Sequence, residues 1–215
     1  MTHFDPVDAA FFEQPTEAIA YQLLNLVLVH EVPDGIMAGR IVECEMYQGP
    51  QDRGAHSFGG KPTPRTEVMY GPPGHAYVYL IYGMYHCFNV VTGSVGLPHA
   101  ILVRALEPLA GRDLMLRRTA AKRAAPDRVA AGPGKLCQAL NIDRRLNGHA
   151  LWRPPLYLAR PPEPWASYRV ARGPRINIGY AAEAQAYPWR FWVDGHPAVS
   201  VKAPPTTVEP AAATR

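Results

Sequence analysis

The chain has 215 residues, of which 47% are hydrophobic, and carries a formal net charge of +4 at pH 7. This length favours one domain with one core over two full domains, and no apolar run approaches the roughly 20 residues needed to cross a bilayer. The N-terminus has no signal-peptide pattern, so we expect a cytoplasmic protein, associated with the nucleoid if the source is prokaryotic.

The basic excess and the cysteine spacing limit the possible partners and cofactors. Mild basicity fits a polyanionic partner, although many basic proteins never contact nucleic acid. Cys44, Cys87 and Cys137 are far apart and form no CxxC pair. They therefore predict reduced, buried thiols and neither a disulfide framework nor a zinc site.

The first half of the chain predicts a helix followed by two hairpins. Apolar residues at helical spacing indicate a helix over residues 16–25. Strands should follow at Val27–Val29 and Gly39–Tyr47, joined by a tight turn at residues 33–35. Residues 76–92 are rich in aromatic and β-branched side chains and are broken only by Gly83, which predicts a hairpin tip at that glycine.

The second half predicts shorter elements. A strand is expected at Leu102–Leu106, followed by a helix over Glu107–Arg118. A loop at residues 132–134 should lead into a short helix that ends near Leu140. Late strands are expected at residues 175–178 and 190–193.

The C-terminal end predicts a domain boundary. From Pro204 the sequence has too little apolar content to pack against a core. We therefore expect a single domain over residues 1–203 and a disordered tail over residues 204–215.

The strand at residues 39–47 combines an apolar face with an acidic one. Period-two alternation directs Val42, Cys44 and Met46 to one face, and Glu43, Glu45 and Tyr47 to the other. Paired carboxylates suit cleavage of a glycosidic bond, because the oxocarbenium-like transition state needs nearby negative charge and the attacking water needs a base. The spacing alone leaves open a solvated face with both glutamates exposed.

Three further segments carry candidate binding groups, and each also has a purely structural interpretation. The Gly- and Pro-rich loop at residues 49–65 holds His56, which is either a surface residue or a binding group. Tyrosines in residues 77–85 either fill a core strand or stack on bases, and Tyr82 at the hairpin tip could wedge between base pairs. Lys135 follows a Gly-Pro-Gly sequence that either binds phosphate or only begins a helix. Metalloprotease, zinc-deaminase, Walker and dinucleotide-binding motifs are absent from the sequence.

Several of these segments together closely resemble the alkyladenine DNA glycosylases, also called 3-methyladenine or N-methylpurine DNA glycosylases. The resemblance is carried by residues 40–47, 49–57, 77–85, 102–108 and 132–140, within a similarity from Phe11 to Val201. It implies a single mixed α+β domain with a curved, largely antiparallel sheet flanked by helices, and a β-hairpin that inserts into the DNA minor groove. It also implies a monomer that acts on double-stranded DNA containing damaged purines, with no membrane partner and no metal or organic cofactor.

The resemblance also implies roles for individual residues. Glu45 matches the general base, and Arg104 with the main-chain carbonyl of Ile176 would hold the attacking water. The side chains that would sandwich the flipped base are Tyr47, His56 and Tyr79. Asn89 would crowd the exocyclic amine of guanine, and the main-chain amide of His56 would read the 6-substituent. Tyr82 would intercalate, with Gly83, Met84 and Lys135 as further DNA contacts.

Substrate chemistry agrees with these implied roles. A cationic alkylated purine stacks well between electron-rich rings and leaves readily, whereas we expect the neutral hypoxanthine to need protonation at N7. With no lysine near the acidic strand, we expect water attack without strand cleavage. Cys44 replaces the usual threonine and Met46 a smaller residue, which leaves the damage spectrum open.

Two other functions fit part of the pattern. A lesion-binding protein without catalysis would keep the tyrosine wedge, but it would have no use for Glu45 and Arg104. A carbohydrate glycosidase could use Glu43 and Glu45 as its pair. Neighbouring carboxylates on one strand face would have nearly equivalent environments, however, which suits distinct acid and base roles poorly.

Overall fold

The computed structural model describes residues 3–119 and 125–211. The strands in these residues are β1 (Asp5–Pro6), β2 (Val27–Val32), β3 (Gly35–Gln48), β4 (Ala76–Ile81), β5 (Tyr85–Thr92), β6 (His99–Ala110), β7 (Leu156–Arg160), β8 (Arg169–Gly173), β9 (Arg190–Val193) and β10 (Thr207–Pro210). The α-helices are α1 (Thr16–Leu23), α2 (Arg112–Arg118) and α3 (Pro133–Ala139). Short 3-10 helices lie at Ala9–Glu13, Glu67–Tyr70, Pro126–Arg128, Arg144–Leu146 and Ala182–Ala186.

All ten strands belong to one antiparallel sheet that branches at β3. The main path runs β1-β7-β2-β3-β6-β5-β4, and the branch continues from β3 through β9 and β8 to β10. Along one edge of β3, its first half pairs with β2 and its second half with β9, while β6 pairs along the other edge. Glu43 and Glu45 lie opposite β9 at this branch point. The expected mixed α+β fold with a largely antiparallel sheet is confirmed.

The main hydrophobic core lies between one face of the sheet and helices α1 and α3. Ile19 and Leu23 of α1 and Leu136 of α3 are buried in the same cluster as Val42 and Met46 of β3. The period-two alternation of β3 is therefore confirmed, because its apolar side chains face this core. Its acidic face is turned the other way, toward the chain that follows β8.

Both hairpins predicted from sequence are present. β2 and β3 are joined at Pro33–Asp34, and the residues of β4 pair with β5 in register from Ala76↔Val90 to Ile81↔Tyr85. At the second tip, Tyr82 and Gly83 have φ values of +53° and +67°. Consecutive left-handed residues match the twist of a hairpin, which explains the glycine at the tip.

The helix predicted over Glu107–Arg118 is shorter than expected. β6 continues to Ala110, and α2 begins only at Arg112. Gly111 separates them with φ +68°, and a Cβ there would collide with the carbonyl oxygen of Ile36. Pairing with β3 therefore extends the strand past the point where helical spacing begins, and glycine allows the sharp change of direction.

The strand predicted at residues 175–178 is wrong. β8 ends at Gly173, and Pro174 has no N–H to continue a ladder. The Ile176 amide instead donates to the Glu45 carboxylate, and Asn177 has φ +60°. A side chain therefore takes the place of a neighbouring strand as the hydrogen-bond partner of this segment. The strand predicted at Arg190–Val193 is confirmed.

The C-terminal segment is also more ordered than its composition predicts. Thr207–Pro210 forms β10, which pairs with β8, and Val208 packs against a small cluster around Trp192. Backbone hydrogen bonds to the edge strand β8 order this segment, which side-chain burial alone would not do. Residues 212–215 of the predicted tail lie outside the described residues.

Candidate active site

Two buried glutamates and two buried arginines form a charge cluster at the branch point of the sheet. Glu43, Glu45 and Arg190 are completely buried, and Arg104 is 6% exposed. The alternative of a solvated acidic face is therefore wrong. Two carboxylates balance two guanidinium groups, which offsets part of the cost of removing four charges from water.

Both carboxylate oxygens of Glu43 accept hydrogen bonds, from three donors in total. Its Oε1 accepts from Nε of Arg104 at 2.9 Å and Nε of Arg190 at 2.8 Å, and its Oε2 accepts from the Ser200 amide at 2.6 Å. Burial alone would raise the pKa of Glu43, but the two arginines and the Ser200 amide outweigh it and hold that pKa below its usual value. Glu43 is therefore an anion near neutral pH, and it fixes the Arg104 side chain.

Glu45 is bound by a different set of partners. Its Oε2 accepts from the Tyr47 hydroxyl at 2.9 Å and lies 3.3 Å from Nη1 of Arg104. Its Oε1 accepts from the Ile176 amide at 2.7 Å. The structure thus brings Glu45, Arg104 and Ile176 together as expected. Ile176 contacts the carboxylate through its amide, so the water-holding role of its carbonyl stays a prediction.

An aromatic cleft adjoins this carboxylate. It is lined by Tyr47, Gly54, His56, Met69, Tyr77, Tyr79, Asn89, Ala100 and Tyr180. All four side chains predicted for the base pocket are among them. Because Tyr47 both lines the cleft and donates to Glu45, the cleft and the charge cluster share a wall.

The ring contacts and pKa shifts define the character of the cleft. The ring centroids of His56 and Tyr79 are 4.6 Å apart in an edge-to-face arrangement, and Nδ1 of His56 is 2.9 Å from the Tyr77 hydroxyl. His56 remains exposed at the cleft, but desolvation of its imidazole by the groups around it and the nearby positive charge of Arg65 lower its pKa to about 4, so the ring is neutral near pH 7. Burial and the Glu45 charge raise the pKa of Tyr47, which therefore keeps the proton that it donates.

Asn89 is fixed in the cleft wall by the backbone. Its side-chain amide donates to the carbonyl of Tyr77 at 3.0 Å, and it is 4% exposed. With the side chain held in this way, its orientation toward a bound base would be constant.

The hairpin tip presents the predicted wedge to solvent. Tyr82 is 77% exposed and Met84 is 67% exposed, whereas Tyr79 of the preceding strand β4 lines the cleft. The two tyrosines are three positions apart along the chain, which in an extended strand corresponds to about 10 Å. Lys135 is exposed on α3, and its neighbour Gly134 packs against the Tyr85 ring, so this lysine lies beside the hairpin.

Sequence reasoning missed a second buried ion pair beneath the cleft. Nη1 of Arg175 lies 2.6 Å from Oδ2 of Asp52, and Nη2 lies 2.7 Å from Oδ1, with both side chains fully buried. The guanidinium also covers the Tyr47 ring at 4.5 Å. One signal was present in the sequence, because Asp52 precedes Gly54 by two residues and accepts from its amide, as in an Asx turn. Nothing in the sequence pointed to Arg175.

Three further observations concern the cysteines, metal-ligating groups and helix lengths. The three cysteines are buried and unpaired, as predicted. Among residues 3–119 and 125–211, no group of three His, Cys, Asp or Glu side chains is arranged to hold a metal ion. In the same part of the chain, no helix has the length and apolar character to cross a membrane.

Comparison with known proteins assigns the chain to a family. Residues 10–197 match the family model described as "Methylpurine-DNA glycosylase (MPG)". A Bacillus cereus (strain G9842) protein named "Putative 3-methyladenine DNA glycosylase" is 51% identical over 201 residues, covering 90% of this chain and 98% of the relative. A Bacillus anthracis (strain A0248) protein of the same name is 50% identical over 200 residues, with the same coverage of both chains. This chain therefore belongs to the methylpurine-DNA glycosylase family.

Proposed function

We propose that this protein is a monofunctional DNA glycosylase that flips a damaged purine out of the duplex and hydrolyses its N-glycosidic bond with water activated by Glu45. The observation that carries the proposal is the position of Glu45. Its carboxylate is completely buried, is held from three directions, and is joined to the aromatic cleft through Tyr47. Family membership supports the same activity.

In the proposed reaction, the bond between C1′ and the purine N9 breaks as the base leaves with the bonding electrons. Glu45 stabilises the positive charge that develops on the sugar and accepts a proton from the water that forms the new C1′–O bond. Arg104 and the carbonyl of Ile176 would orient that water. The products are the free purine and an abasic sugar with a hydroxyl group on C1′.

The cleft suits an alkylated or deaminated purine. Tyr47, His56 and Tyr79 offer electron-rich rings, and the neutral imidazole does not repel a cationic base such as 3-methyladenine or 7-methylguanine. In the described part of the chain the His56 main-chain amide has no hydrogen-bond acceptor, which leaves it free to read the 6-substituent of hypoxanthine or ethenoadenine. Asn89, fixed on the Tyr77 carbonyl, would crowd the exocyclic amine of guanine.

DNA binding would use the exposed hairpin. Tyr82 would fill the space that the flipped nucleotide leaves, and Gly83 and Met84 would contact the minor groove beside it. Lys135, next to the hairpin, would contact a DNA phosphate. The enzyme would bind double-stranded DNA as a monomer.

The residues around the cleft support water rather than an amine as the nucleophile. None of the described residues that line it is a lysine, so no ε-amino group is available for Schiff-base chemistry and strand cleavage. A carbohydrate glycosidase that uses Glu43 as its acid is disfavoured, because three donors bind that carboxylate and its pKa is lowered.

The decisive experiment is Glu45→Gln. We expect release of free purine from an inosine-containing or methylated duplex to be abolished while affinity for damaged DNA is nearly unchanged, because the charge and the proton acceptor are lost but the shape is kept. Glu107→Gln is the matched control, since Glu107 lies on the adjacent strand β6 and is partly exposed. A fully active Glu45→Gln enzyme would contradict the proposal. Binding without release by the unaltered protein would instead favour a lesion-binding role.

A further inference from the structure

Arg65 contacts the aromatic cleft but has no part in the chemistry described above. Its Cζ lies 4.7 Å from the centroid of the Tyr79 ring, within the range of a cation–π interaction. The residue is exposed, and it makes no ion pair with any carboxylate in the part of the chain that the structure describes. Its positive charge is therefore not neutralised by the protein.

The other guanidinium groups near the cleft are neutralised. Arg104 is paired with both Glu43 and Glu45, and Arg175 is paired with Asp52. Arg65 thus contributes a positive potential at a cleft wall whose other cations have partners. This potential reaches the cleft, because Arg65 helps to lower the pKa of His56, which lines the same space.

Given the proposed function, on which this inference rests, we propose that Arg65 is a specificity-determining residue that favours neutral damaged purines over cationic N-alkylated purines. The electron-rich face of Tyr79 attracts any cation. A cationic base would therefore compete with the guanidinium for this ring and would also be repelled by it. A neutral base such as hypoxanthine would neither compete with the guanidinium for the Tyr79 ring nor be repelled by its charge.

A contact between Arg65 and a DNA phosphate is the main competing role. Phosphate contacts fix the position of a protein on the duplex but do not distinguish between bases. Loss of such a contact would weaken the reaction of every lesion by a similar factor and reduce the salt dependence of binding by about one unit of slope. The two roles are separated by comparing a charged lesion with an uncharged one.

The test uses Arg65→Gln, with Arg65→Lys as the charge-retaining control. Duplexes that contain either 7-methylguanine, which is cationic, or hypoxanthine, which is neutral, are cleaved under single-turnover conditions with enzyme in excess over DNA but below saturation, so that the rate includes binding of the base. The measured quantity is the ratio of the two excision rates. Two unit charges about 6 Å apart in a medium between protein surface and water predict a roughly three- to tenfold rise in the ratio of 7-methylguanine to hypoxanthine excision for Arg65→Gln. Arg65→Lys should stay within about twofold of the unaltered protein.

The outcomes separate this inference from the proposed function. If the unaltered protein releases neither base, the proposed function fails and the inference fails with it. If both bases are released but Arg65→Gln leaves the ratio unchanged, or slows both lesions equally, only the inference is overturned. An equal change in ratio for Arg65→Lys and Arg65→Gln would also overturn it, since charge would then not be the cause.

Discussion

Replacing Glu43 with glutamine should lower the free energy of unfolding by about 3–5 kcal/mol, the usual cost of removing one partner from a buried ion pair. Glu43 is completely buried and accepts from Arg104, Arg190 and the Ser200 amide. Glutamine keeps the shape, but it leaves two guanidinium groups facing a single remaining carboxylate. Its side-chain amide also has to face the Ser200 N–H or give up an oxygen contact with the arginines.

The magnitude can be measured by urea unfolding at pH 7, followed by far-UV circular dichroism. Thermal unfolding measures the same loss. For a chain of this length, 1 kcal/mol shifts the midpoint temperature of unfolding by about 2–4 °C, so we expect that temperature to fall by roughly 6–20 °C. The control is Glu183→Gln, because the Glu183 side chain is 58% exposed and its partner, Nε of Arg53 at 3.2 Å, belongs to a side chain that is 51% exposed. That change should cost less than about 1 kcal/mol.

The pH dependence gives a second readout of the same substitution. The pKa of Glu43 is lower in the folded protein than its ordinary value of 4.5, so its stabilising contribution is complete above that value and is lost as the pH falls through the folded pKa. Glutamine does not titrate, and the stability difference between the two proteins should therefore narrow in acid. A loss below about 1 kcal/mol at pH 7 would refute the assignment of Glu43 as the anion that holds the cluster together.

Two further predictions concern the cleft and the hairpin. Tyr82→Ala should weaken binding to a lesion-containing duplex by about 1–3 kcal/mol, as expected for a lost stacking contact. The rate of single-turnover excision at saturating enzyme should change less. A variant that binds and excises normally would rule out the wedge. The imidazole of His56 should titrate by NMR with a midpoint near 4, and an ordinary midpoint near 6.5 would contradict the desolvation inferred from its contact with the Tyr79 ring. Because the unfolded chain binds this proton at a higher pH than the folded chain does, His56 should make the free energy of unfolding rise with pH between about 4 and 6.5.

Local sequence was sufficient for the hairpins, for the first helix and for the two faces of β3. These features depend on near neighbours: the period of the strand, the spacing of Ile19 and Leu23 in α1, and a glycine at the tip beside Tyr82. The cleft residues could also be named from the sequence, because long motifs in the same order resemble a known family. The helix over 107–118, the strand over 175–178 and the disordered tail were wrong in whole or in part, because strand pairing or side-chain contacts with distant segments overrode local preference.

Only the tertiary structure decided what happens to the acidic face of β3. The period of a strand shows which side chains share a face but not what covers that face. The groups that do so, Ile176, Arg190 and Ser200, lie 131 to 157 residues from the glutamates they contact. The same folding pairs Asp52 with Arg175 beneath Tyr47. Long-range contacts of this kind bury both glutamates, and they turn a pair of carboxylates that the sequence left open to solvent into one bound anion and one candidate base.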